Sequence, residues 1–126
     1  MQEEIRFTKE HEWVQIKDGL AVVGISDFAQ KQLGDIVSVE LPKVESAFKQ
    51  MQVMAIVDSI KASSDIYCPI SGQVIEINQG LQEHPEWINQ SPYDKGWMVK
   101  IKPSNITELE SLMTKTQYEE FVGQIK

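Results

Sequence analysis

Cysteine occurs once in the 126-residue chain, as Cys68, so no internal disulfide can form and a reducing compartment suits the protein. Histidine occurs twice, at His11 and His84, and no cysteine–histidine cluster has metal-ligand spacing. No metal is expected. Positive charge is scarce: 12 lysines and arginines stand against 19 acids, a net charge of −7. Such a surface repels a phosphate backbone, which argues against a nucleic-acid partner. No apolar run reaches the length of a membrane helix. The opening Met1-Gln2-Glu3-Glu4 is acidic and lacks the apolar segment of a secretory peptide. Missing as well are a nucleophile–base pair, a phosphate loop and any low-complexity linker, so an independent enzyme is the weakest reading.

What remains is ordinary globular composition, 41% hydrophobic and 25% charged. The length fits one compact domain over residues 1–126, expected to be a monomer. The acidic balance keeps a mobile protein soluble and can steer it to basic docking faces.

Short apolar segments with turn residues between them predict a strand-rich core. Residues 12–16 alternate weakly, Lys17-Asp18-Gly19 supplies a hairpin turn, and residues 20–25 form the return strand. Asp27 with Gln30 predicts a capped short helix that Gly34 ends. A strand over 36–41 follows and stops at Pro42. Residues 51–60 and 66–70 read as β-rich runs. Lys61-Ala62-Ser63-Ser64-Asp65 between them is small and polar, and reads as a hairpin tip. Gly34-Asp35-Ile36-Val37-Ser38-Val39 has an echo in Gly72-Gln73-Val74-Ile75-Glu76-Ile77, which hints at two related halves on either side of Lys61. Further strands are expected over 73–77 and 97–101, with a helical turn around His84 to Asn89. Asn105 with Glu108 and Thr116 with Glu119 predict two terminal helices.

A lysine at a hairpin tip is usually only a surface lysine, compact, flexible and within reach of a modifying enzyme. Here its flanks are distinctive. Val57-Asp58-Ser59-Ile60-Lys61-Ala62, then Ser64-Asp65 and Pro69-Ile70-Ser71-Gly72, resemble the lipoylation site of the glycine cleavage H-protein family. Cys68 stands where that family has a serine, and Asp58 where it usually has a glutamate. The resemblance spans nearly the whole chain. It includes Lys9-Glu10-His11-Glu12-Trp13-Val14, Val23-Gly24-Ile25-Ser26-Asp27-Phe28-Ala29-Gln30, Ser91-Pro92-Tyr93 and Gly96-Trp97-Met98-Val99-Lys100-Ile101 in the family's order.

The resemblance implies a mainly β fold of the barrel-sandwich hybrid kind, a flattened lipoyl-domain-like sandwich with short helices and a C-terminal helical tail. It implies a lipoic acid joined to Lys61 as an amide, and a carrier rather than a catalyst. The implied partners are glycine decarboxylase (the P-protein), aminomethyltransferase (the T-protein), dihydrolipoyl dehydrogenase (the L-protein), and a lipoate ligase or lipoyl transferase. Glu12 and Asp65 match acids that line the family's cleft. A strand-edge glutamate would otherwise be solvated, and a turn aspartate would otherwise bind its own backbone. Asp58 and Gly72 match positions tied to recognition by the lipoate-attaching enzyme. The bacterial cytoplasm is the expected location, or the mitochondrial matrix for a processed eukaryotic form. An H-like lipoyl carrier or relay of another pathway is the alternative, and an unmodified interaction module the next.

Overall fold

A computed structural model of the chain describes residues 5–125. In chain order the elements are β1 (Arg6–Phe7), β2 (Glu12–Lys17), β3 (Leu20–Ile25), α1 (Asp27–Leu33), β4 (Ile36–Glu40), β5 (Ala47–Phe48), β6 (Val53–Ser59), β7 (Ser63–Tyr67) and β8 (Gly72–Ile77). Then follow α2 (Gly80–Glu83), α3 (Trp87–Gln90), β9 (Val99–Pro103), a 3-10 segment (Ile106–Ser111), β10 (Met113–Thr114) and α4 (Lys115–Ile125). The strands form a seven-stranded sheet, β10-β1-β2-β3-β9-β8-β5, and a three-stranded sheet, β4-β6-β7. Neighbouring strands run antiparallel. Val14, Val23, Val74 and Ile101 from the larger sheet meet Ile36, Val57 and Ile66 from the smaller one in a single buried cluster. The expected β sandwich with short helices and a helical tail is the observed fold.

The weak alternation of β2 has a packing cause. Glu12, Trp13 and Val14 are all buried. Val14 faces the space between the sheets, while Trp13 turns to the opposite side and packs with Phe7, Val22 and Tyr118 under α4. Strand side chains alternate, so Glu12 points the same way as Val14, into the sandwich.

Several element boundaries differ from the sequence reading. Ser26, not Asp27, caps α1: its hydroxyl accepts from the Ala29 amide at 3.1 Å. Asp27 is the first helical residue, and its carboxylate instead takes Gln30 Nε2 at 2.8 Å and Lys31 Nζ at 3.0 Å. Gly34 does end the helix, at φ 78°. Around His84 the chain forms two short helical turns with Pro85 between them. Residues 106–111 wind as a 3-10 segment capped by Asn105, and the Glu108 carboxylate goes instead to the Ser71 amide at 2.7 Å and hydroxyl at 2.9 Å. Met113 leaves the expected helix to pair with Phe7 in β1. The last helix starts at Lys115, and the hydroxyl that meets its first turn belongs to Thr114, which accepts from the Gln117 amide at 3.2 Å.

The two echoing segments lie in different sheets, residues 36–40 in β4 and residues 72–77 in β8, with the β6–β7 hairpin between them in the chain. Their glycines serve different ends. Gly34 supplies a left-handed turn. Gly72 supplies closeness: a Cβ there would stand 2.2 Å from the Lys102 carbonyl oxygen and 2.6 Å from Ile101 Cγ2. Backbone cannot yield as a flexible side chain can. Gly72→Ala is therefore expected to cost about 3 kcal/mol, the upper part of the overpacking range. Urea unfolding of the variant checks it.

Candidate functional site

Lys61 occupies the turn of the β6–β7 hairpin and is exposed. The turn is shorter than the sequence implied, since β7 already begins at Ser63. Ser59 closes it. Its amide donates to the Ala62 carbonyl at 2.8 Å, and its hydroxyl accepts from the Lys61 and Ala62 amides at 3.1 Å each. The Ile60 amide donates to the Asp35 carbonyl at 3.0 Å, which ties the tip to the segment just past α1. The Lys61 side chain lies along Gly34, where a Cβ would come within 3.4 Å of its Cε and 3.8 Å of its Nζ. The lysine stem thus packs over the backbone of the turn that ends α1.

Asp58 sits one step below the tip. Its carboxylate accepts from Ser38 Oγ at 2.9 Å on β4 and, through a short bond, from Ser63 Oγ on β7. These hydroxyls hold its carboxyl below the usual aspartate range, the Ser63 bond most strongly. The result is a Ser38–Asp58–Ser63 rung across all three strands of the smaller sheet. Asp65 is not a turn residue. It lies within β7 opposite Ile56 and is exposed, while its neighbour Ile66 faces the core. Gly72 stands apart from the tip, in the larger sheet opposite Pro103.

Glu12 is not a solvated edge charge. It has no solvent exposure. From inside the sandwich its Oε2 accepts the Tyr67 amide of β7 at 3.1 Å, and its Oε1 accepts the Thr8 hydroxyl at 2.5 Å. The carboxyl therefore bridges the two sheets at the end of the strand that begins beside Lys61. Four residue steps separate Ser63 from Tyr67, about 13 Å of strand. Among the described residues no cation forms an ion pair with Glu12. Burial pushes its pKa up from 4.5 to about 7, the nearby Glu10 charge adds to the rise, and the bonds from Thr8 and Tyr67 oppose it. A carboxyl so poised changes charge near neutrality and suits a site that receives a cation. Cys68, next along from Tyr67, is buried, and burial raises its thiol to about 11. That fits packing rather than redox chemistry.

Sequence reasoning missed Ser59 and Thr8, which carry no local signature beyond being hydroxyl residues near a turn. Thr8-x-x-x-Glu12 spacing is a usable signal in retrospect, because a loop returning on itself brings those side chains together. It also missed the Tyr118 hydroxyl. That group lies 2.7 Å from both His11 Nδ1 and Ser26 Oγ and pins α4 to the segment carrying Glu12.

Fold and site together define a class: a β-sandwich module that presents one anchored, exposed lysine on a hairpin, with a buried acid bridging the two sheets at the far end of that hairpin's second strand. Residues 5–125 match the family model described as "Glycine cleavage H-protein". The chain is 46% identical over 121 residues to the glycine cleavage system H protein of Geobacillus kaustophilus, covering 96% of this chain and 95% of that one. It is equally similar, 46% over 121 residues, to that of Staphylococcus epidermidis, with 96% of each chain covered. A crystal structure of a glycine cleavage system H protein from Mycobacterium marinum superposes with a TM-score of 0.85 at 32% identity, covering 98% of both chains. The chain belongs to the glycine cleavage H-protein family.

Proposed function

We propose that this chain is the lipoyl-carrying shuttle of the glycine cleavage system, a single non-catalytic carrier domain that takes the aminomethyl group of glycine from the P-protein to the T-protein. The observation that carries the reading is Lys61, an exposed primary amine on a tip held by Ser59, Asp58 and the Asp35 carbonyl. An exposed amine on an anchored tip fits attachment of lipoic acid through an amide. When attached, lipoic acid supplies the disulfide and dithiol chemistry of carriage.

The chain's own residues present, position and shelter. Lys61 presents the attachment point. Asp58 fixes the two strands beneath it and, with it, the shape read by a lipoate ligase or lipoyl transferase. Gly72 contributes to that recognition indirectly, by permitting the close approach of β8 to β9. Glu12 is the acid that receives the positive end of the carried aminomethyl group, and Asp65, exposed on β7, is the second cleft acid. Excluding water from the Glu12 region slows hydrolytic loss of the cargo. The partners are the P-, T- and L-proteins, and the bacterial relatives support a cytoplasmic setting.

The test is intact mass with peptide mapping after incubation with a lipoate ligase, ATP and lipoate. One lipoyl group on Lys61 is expected, followed by uptake of the aminomethyl group when P-protein and glycine are added. No addition with a ligase or by octanoyl transfer would reject the carrier reading. Lipoylation without uptake from the P-protein would move the chain to another lipoyl-dependent pathway.

A further inference from the structure

The turn ahead of β2 contains a hydroxyl whose hydrogen-bonding capacity is fully used. Thr8 is 3% exposed. Its Oγ1 accepts from the Glu10 amide at 3.1 Å and the Glu12 amide at 3.2 Å. A threonine hydroxyl has two acceptor lone pairs and one proton. With both lone pairs occupied by amides, only donation is left, and the proton goes to Glu12 Oε1. On the other side the Tyr67 amide can only donate. Glu12 thus faces two obligate donors. A neutral Glu12 hydroxyl would find no acceptor in either partner, so the hydrogen-bond pattern favours the anion while burial disfavours it.

We propose that Thr8 is a positioning residue for the carried amine: its hydroxyl, locked as a donor by the Glu10 and Glu12 amides, keeps the buried Glu12 able to ionise and aimed at an incoming cation. This rests on the reading that Glu12 receives the cargo. The turn that makes the lock is specific to its backbone. His11 holds φ 76°, its amide donates to the Thr8 carbonyl at 3.2 Å, and the Thr8 amide donates to the Glu12 carbonyl at 2.9 Å. The other titratable groups whose charge reaches Glu12 cannot replace Thr8. Glu10, in the same turn, opposes ionisation of Glu12. Cys68, just past β7, and Tyr118 on α4 both interact with the Glu12 charge, and burial pushes their own values up to about 11 and about 12, so both stay neutral.

The consequence is a split that simple loss of packing does not produce. In Thr8→Val the Glu12 titration moves upward by about one unit or more, because a charge-assisted bond is lost. Thr8→Ser keeps the donor and restores the wild-type titration. In the lipoylated protein charged by P-protein and glycine, Thr8→Val shortens the lifetime of the cargo severalfold at pH 7.

The experiment is a carbon-13 NMR titration of the Glu12 carboxyl in the unmodified full chain, for wild type, Thr8→Val and Thr8→Ser, followed by cargo-release rates on the lipoylated forms and on Glu12→Gln. An upward shift in Thr8→Val with rescue by Thr8→Ser supports the proposal. An unmoved Glu12 titration in folded Thr8→Val overturns it. If Glu12→Gln releases cargo at the wild-type rate, the reading of Glu12 itself fails, whatever Thr8 does to the titration. Should Thr8→Val not fold, the wild type decides: a slowly exchanging Thr8 hydroxyl proton with a nuclear Overhauser contact to the Glu12 side chain supports the lock, and a fast-exchanging one overturns it.

Discussion

Lys61→Arg is expected to fold like the wild type and to carry nothing. The Lys61 side chain is exposed, and the bonds that shape the turn come from its backbone and from Ser59, so a longer cation costs within about 0.5 kcal/mol. A guanidinium does not take the place of an amine in amide formation, so the lipoyl mass disappears altogether. Thermal unfolding and intact mass on one sample separate the two halves of this expectation. Aminomethyl uptake by Lys61→Arg would refute the assignment of the attachment site.

The second large effect is on stability. Glu12 has a folded-state pKa of about 7 against an ordinary value of 4.5. A raised carboxyl pKa means that the folded state holds a proton the unfolded state has already released. Stability therefore falls as pH rises from 4.5 to 7, by about 3 kcal/mol in total, and the loss is complete above the folded value. His11 works against this trend below pH 6.5, because burial lowers its pKa and neutral folded histidine is favoured as pH rises. The other shifted carboxyls, Asp27, Asp58 and Glu86, are lowered, from 3.8, 3.8 and 4.5, and act mainly below this window. The difference between wild type and Glu12→Gln isolates the Glu12 share. Urea unfolding at pH 5 and pH 8 should show the wild type losing about 2.5 kcal/mol more than the variant over that interval. Parallel behaviour of the two proteins would mean that Glu12 ionises in the fold as it does in water.

The Lys61 tip was legible because its determinants are local. A small, polar run between two β-rich runs marks a tip, and the flanks of Lys61 narrow it to one family. Gly34 was legible for the same reason: a helix end needs a residue that tolerates positive φ. Glu12 was only half legible. The match to a cleft acid came from the resemblance, but its burial depends on a β7 amide fifty-five residues away, which no window around Glu12 contains. Asp65 was misplaced into the turn because Ser63 and Ser64 look like turn residues. In the fold, the Ser38–Asp58–Ser63 rung recruits Ser63 into the strand and shortens the loop. The helix expected to start at Asn105 was misjudged through Glu108, whose carboxylate goes to Ser71, a tertiary partner, rather than back to the local cap.

The bond from the Ile60 amide to the Asp35 carbonyl gives the hairpin a third point of support. Two strands alone would leave a turn free to sway. A tip tied to the segment behind α1 loses its conformational freedom when the chain folds, rather than each time an enzyme docks. If Lys61 carries the proposed tether, successive partners would meet it from the same origin. Cutting that tie would leave Lys61 chemically complete on a tip that is no longer held in one place.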